Sequence, residues 1–209
     1  MDFGLRSAYA HGTSLLRTHL DSTSPQHRIS WPVFAEMRDL WADRIELQGV
    51  ALCSIEEMLD DGFSLELART VESYDGLLGA ATYMIPQLDQ ALERLFHLAA
   101  DNGLDLDLHV DESADPGARS LRHIAETALR LRFPGKATVG HACSLALQPE
   151  GEVEETLALV EEAGISVVSL PMCNLYLQDR QAGRTPRWRG VTLLQEMRAR
   201  GIPVAARST

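Results

Sequence analysis

The feature that most constrains this chain is its alternation of short apolar runs with longer amphipathic stretches. Leu15–Leu20, Ile45–Leu52, Leu77–Met84, Leu104–Val110, Lys136–Gly140 and Ile165–Leu170 read as strands, and Ile202–Ala206 as a last one. Trp31–Asp43 reads as a helix, with Trp31, Phe34, Met37, Leu40 and Trp41 at helical spacing. Ser64–Val71, Asp89–Asn102, Ala118–Arg132, Glu152–Ala163 and Thr192–Arg200 follow as further helices, and Gly103, Gly164 and Gly201 stand where a helix stops. Ser54-x-x-Glu57 has the form of a capping box. Strands separated by helical stretches of this length indicate βαβ units and a parallel sheet.

Two α/β architectures satisfy that pattern. A doubly wound sheet usually carries a glycine-rich phosphate turn after its first strand. This sequence has no GxGxxG or GxxxxGK. A closed (β/α)8 barrel takes about 250 residues and eight units. The chain has 209 residues and the seven strands named above. The expectation is an α/β fold forming one domain over 1–209, an incomplete TIM (β/α)8 barrel.

Charge and cysteine usage narrow the partners. Lys+Arg number 19 against 30 Asp+Glu, for a net charge of −11. Such a chain repels a phosphate backbone unless its cations cluster, and the one local basic run, Arg180–Arg189, is short. Nucleic acid is therefore not the expected partner. No apolar run reaches the roughly 18 residues of a membrane span, and Met1–Ala10, holding Asp2 and Arg6, does not read as a secretory signal. Cys53, Cys143 and Cys173 are far apart and contain no CxxC pair, which suits a reducing, cytoplasmic setting.

In a barrel, chemistry sits at the C-terminal ends of the strands and in the loops that follow. His19 and Asp21 end the first strand, and His109, Asp111 and Glu112 the Leu104–Val110 strand. His141 ends the next, and Pro171, Met172, Cys173 and Asn174 follow Ile165–Leu170. Neutral imidazole is the commonest metal ligand, and His with carboxylate suits zinc or iron. Each residue also has a plainer reading. His19 alone would be a satisfied structural histidine, and Glu112 part of a solvated loop. His11, His27, His97 and His123 fall in helices or loops and are expected on the surface. Cys143 and Cys173 read as small packing residues, because a thiol nucleophile needs a neighbouring base. The Glu150–Glu155 run fits a helix N-terminus.

The composite of these segments resembles a known family. Arg17-Thr18-His19-Leu20-Asp21, Leu108-His109-Val110-Asp111-Glu112, Gly140-His141, Leu170-Pro171-Met172-Cys173-Asn174 through Gln178, and Pro186-Arg187-Trp188-Arg189-Gly190-Val191-Thr192 are similar, in order and spacing, to the cytosine deaminase branch of the amidohydrolase superfamily. The resemblance implies a metallo-dependent hydrolase-like barrel that cleaves a C–N bond in a small cyclic amidine or amide. It implies a divalent metal, iron or zinc, with His109 as a ligand. Glu112 would be the proton shuttle, and His141 would hold the attacking hydroxide. Asn174 and Arg187 would contact the substrate, and the family is commonly homo-oligomeric.

The same comparison exposes departures. The family's first strand carries a His-x-His pair, which this chain does not contain. The strand at Leu15–Leu20 matches the family's second, so the expected barrel lacks its first strand and the end of its last. Arg207 and Thr209 stand where the family has a small residue and an Asp ligand. No Gln occurs in Leu52-Cys53-Ser54-Ile55, where the family reads its base. The expectation is one metal ligand of about four, with doubtful activity. The alternative is a catalytically silent fragment or degenerate barrel acting as a binding module. A triazine-like or creatinine-like ring is the other substrate class.

Overall fold

The computed structural model describes residues 1–206; Arg207 and Thr209 lie outside the described residues. Seven strands follow one another around a wall: β1 (Leu15–Asp21), β2 (Glu46–Leu52), β3 (Ala81–Thr82), β4 (Leu106–Val110), β5 (Ala137–His141), β6 (Ser166–Ser169) and β7 (Val204–Ala206). Every pairing between these strands is parallel. β1 pairs with β2, and β3 to β7 form a five-stranded sheet in sequence order. Single bridges Val50–Leu77, Ser54–Ala81 and Leu78–Leu106 join the two sheets. Helices α1 (Asp2–Ala10), α2 (His27–Trp41), α3 (Asp61–Ser73), α4 (Leu88–Asp101), α5 (Ser120–Leu131), α6 (Glu150–Glu162), α7 (Pro171–Leu177) and α8 (Leu194–Ala199) complete the units. This is the expected incomplete (β/α)8 barrel: seven parallel strands against the eight of a closed one. No helix among the described residues is long and apolar enough to cross a membrane.

The third strand shows how the wall closes. The expected strand Leu77–Met84 is a regular ladder only at Ala81–Thr82. Before it, the backbone alternates sides. Leu77 accepts from Ala51 N (2.9 Å), whereas Leu78 accepts from Asp107 N (3.1 Å) and Ala80 from His109 N (3.0 Å). Gly79 sits between the two neighbours. A Cβ there would lie 2.3 Å from the Asp107 carbonyl oxygen and 2.6 Å from that of Ala51, so no other residue fits this crossing.

The core lies between the wall and the helices. α4 buries Leu88, Leu92, Leu95, Phe96 and Ala99 on the stripe its sequence shows. α2 buries Trp31 and Phe34, and Trp31 Nε1 donates to Ser22 Oγ at 3.2 Å.

Several boundaries differ from the sequence reading. α2 starts at His27, four residues before the expected Trp31, and carries Pro32 within it. α3 extends to Asp61–Ser73 because the Asp60 carboxylate accepts from Gly62 N and Phe63 N. The Ser54–Glu57 capping box is present and opens a 3₁₀ turn, Ile55–Leu59. α1 and α7 are helices that the alternation did not reveal. His27 is a correction: it is not on the surface but completely buried. Its ring meets Phe63 edge-on at 5.6 Å and its Nε2 lies 3.0 Å from Glu66 Oε1, so packing and a polar partner make its burial acceptable. His11 and His97 are exposed as expected, and His123 is half-buried against Asp89.

Candidate active site

The strand ends set the site. In β4, side chains alternate, so Asp107 and His109 share one face. That face meets β1 and β2 inside the wall. Arg17 Nη1 donates to Asp107 Oδ2 at 2.8 Å, Arg17 Nε donates to Gln48 at 3.0 Å, and His19 Nε2 lies 3.4 Å from Asp107 Oδ1. Burial raises the Asp107 carboxyl, but its bonds to His19 and Arg17 outweigh this and hold it below the usual range. The His19 ring stands edge-on to His109 at 4.4 Å. The plainer reading of His19, a satisfied structural histidine, matches this geometry.

Above that layer, His109 Nδ1 lies 3.1 Å from His141 Nε2. His141 Nδ1 lies 3.2 Å from Glu112 Oε1. Asn174 Nδ2 donates to Glu112 Oε1 at 3.1 Å and lies 3.0 Å from His141 Nδ1. These contacts define one neutral arrangement. With its proton on Nε2, His141 donates to His109 and accepts from Asn174. Protonated on Nδ1, it would instead pair with Glu112. Burial pushes His109 down to about 4, aided by the His19 and His141 charges and opposed by Asp107. Burial also lowers His141, against the pull of Glu112 and Asn174. Both rings are therefore neutral at pH 7.

The backbone at this rim is unusual. Asp111, His141 and Ala142 have φ of 45°, 70° and 46°. Left-handed torsions in non-glycine residues cost on the order of 1–3 kcal/mol each and gather at functional sites. At Asp111 the turn separates two adjacent carboxylates. Asp111 is buried and accepts from Ser120 N (3.1 Å), Ser120 Oγ (2.5 Å) and Leu121 N (3.0 Å), capping α5. Burial raises its pKa, and those bonds only partly offset the shift. Glu112, next in the chain, faces the histidines.

The structure thus brings His109, Glu112, His141 and Asn174 together. Asn174 is buried on α7, whose N1 residue is Pro171. Arg187 is not part of this group. It is exposed on the loop between α7 and α8, and its backbone N–H donates to Asp179 Oδ2 at 2.5 Å. Cys173 Sγ lies 3.7 Å from Glu112 Oε1, and Gln178 Nε2 donates to the Glu112 carbonyl at 3.4 Å; neither contact was expected. The ligand atoms of His109, Glu112 and His141 all lie within 4.8 Å of one another. His109, expected as a metal ligand, thus has two further donor residues beside it. Two neutral imidazoles and a carboxylate are a donor set that fits a divalent metal.

Residues 37–208 match the model of the amidohydrolase family. The chain is 57% identical over 208 residues to a pterin deaminase of Rhizobium rhizogenes (strain K84 / ATCC BAA-868), covering 100% of this chain and 48% of that protein. It resembles the crystal structure of 5-methylcytosine deaminase from Klebsiella pneumoniae liganded with 5-fluorocytosine, with a TM-score of 0.84 and 26% identity over 97% of this chain and 49% of that one. N-isopropylammelide isopropylaminohydrolase from Burkholderia multivorans ATCC 17616 superposes with a TM-score of 0.73 and 26% identity, covering 98% of this chain and 50% of that one. The chain spans about half the length of these relatives. With seven parallel strands ending in this cluster and a family match over most of its length, the chain belongs to the amidohydrolase family.

Proposed function

We propose that this chain carries the reaction centre of a hydrolytic deaminase acting on an amino-substituted heteroaromatic ring, with pterin as its first substrate. The carrying observation is the Glu112–His141–Asn174 contact set at the strand ends. The 57% identity to a protein named pterin deaminase favours pterin over cytosine. The absence of a Gln in Leu52–Ile55 points the same way.

In this reading, water attacks the ring carbon bearing the amino group. A C–O bond forms, the exocyclic C–N bond breaks, and ammonia leaves a carbonyl behind. Glu112 takes a proton from the water and passes it to the adjacent ring nitrogen; the second water proton then moves from the new hydroxyl to the amino group, which leaves as ammonia. Asn174 aims the Glu112 carboxylate through their 3.1 Å bond. His141 stabilises the charge developing on the attacking oxygen. Arg187 is the proposed substrate contact on the loop, supported by the resemblance of the 186–192 segment. His109 would be a ligand of an iron or zinc ion. Such an ion, when bound, lowers the pKa of water toward neutrality.

The reading is of a cytoplasmic enzyme with a small-molecule substrate. The test is release of ammonia from pterin and cytosine, and of isopropylamine from N-isopropylammelide, by the chain supplied with iron or zinc. Turnover of pterin above the other two is expected; none with any ring would refute the reading.

A further inference from the structure

A cleft of about 330 Å³ opens beside Glu112, lined among others by Tyr83, Met84, His109, Asp115 and Ala118. Register explains why two apolar side chains stand there. β3 ends at Thr82 opposite Val110, and Tyr83, Met84, Asp111 and Glu112, the residues that follow the two strands, all line the cleft. Both are among the exposed large hydrophobic residues, at 41% and 43%. Tyr83 is already fixed: its hydroxyl lies 2.7 Å from Ser54 Oγ and donates to Glu56 Oε2 at 3.3 Å. A tethered ring loses little freedom on binding a ligand. Thioethers and aromatic rings both pack favourably on flat π systems.

We propose that Tyr83 and Met84 form the wall on which the substrate ring stacks, and so determine which ring is presented to Glu112. This rests on the deaminase reading and names its specificity residues. The Ser54–Tyr83 bond gives the capping box after β2 a second role, because it holds the wall from behind. The cleft then offers an apolar face to the ring and a carboxylate to its edge.

The test follows binding rather than turnover. Quenching of pterin fluorescence gives Kd for wild type, Tyr83→Leu, Tyr83→Phe, Met84→Ala and, as a distant surface control, Leu40→Ala. Loss of stacking is expected to weaken Tyr83→Leu and Met84→Ala about tenfold each. Tyr83→Phe, which keeps the ring but loses the tether to Ser54 and Glu56, is expected to weaken binding by about threefold, less than Tyr83→Leu, and Leu40→Ala is expected unchanged. Pterin bound equally by wild type, Tyr83→Leu and Met84→Ala overturns the wall and leaves the deaminase reading standing. Pterin not bound by wild type overturns both.

Discussion

His141 presents one ring nitrogen to Glu112 at 3.2 Å and the other to His109 at 3.1 Å, so a single imidazole joins the carboxylate to the second histidine. Protonation of His141 at Nδ1 converts the Glu112 contact into an ion pair. Burial disfavours that form, so the neutral ring dominates at pH 7 and the carboxylate stays available to move protons.

Glu112→Gln keeps the shape of the side chain and removes its basicity. We expect deamination to fall about 10²–10⁴-fold, with the far-ultraviolet circular dichroism and melting midpoint unchanged. Retained activity would remove Glu112 from the reaction.

The metal reading depends on His109. Iron or zinc retained after dialysis, measured by elemental analysis, is expected to drop to background in His109→Ala. It should persist in His97→Ala, whose histidine is exposed on α4. Equal metal in both variants would move the site elsewhere.

Asp107 ties β4 to β1 through Arg17 and His19. Its folded-state pKa lies below the unfolded value of about 3.9. Its contribution is therefore complete above that value and is lost as pH falls through the folded pKa. Asp107→Asn should cost about 2 kcal/mol at pH 7, and the gap to wild type should close below about pH 4. Urea unfolding at pH 7, 4 and 3 measures this. A pH-independent gap would show that the charge is not what stabilises.

Burial pushes the Cys53 and Cys143 thiols up to about 12, with nearby carboxylates adding to the shift. Neither forms thiolate near neutrality. Titration of the native chain with a thiol-specific disulfide reagent at pH 8 should modify Cys173 alone, and denaturation should release the other two. Rapid native reaction of Cys143 would contradict its burial.

Gly79→Ala should destabilise by at least about 3 kcal/mol, because the added Cβ meets backbone oxygens on both sides and neither strand can yield cheaply. Denaturant midpoints compare it with Gly151→Ala, where a Cβ meets nothing within 4 Å.

The fold was legible because hydrophobic period survives in single elements. The α4 stripe and the apolar core of β4 are local patterns. So was the rim: His109, Glu112 and His141 follow strand ends, and barrel geometry turns that position into proximity. What stayed hidden is non-local or torsional. The Arg17–Asp107 bond spans 90 positions in the chain. Asp111 and Glu112 look alike in sequence, and only the left-handed turn at Asp111 gives one to a helix cap and the other to the site. His27 reads as a surface histidine because its partners Phe63 and Glu66 lie on α3. Pro171 at the start of α7 was a readable signal, but the buried amide of Asn174 three residues on has no periodic signature.

Gly190 closes against the residues that grip Glu112. A Cβ there would lie 2.4 Å from Gln178 Cγ and 3.4 Å from Asn174 Cβ. Gln178 holds the Glu112 carbonyl and Asn174 its carboxylate. The loop between α7 and α8 thus rests on both grips at once. A side chain at position 190 would press on Gln178 and Asn174, and through them on the carbonyl and the carboxylate of Glu112.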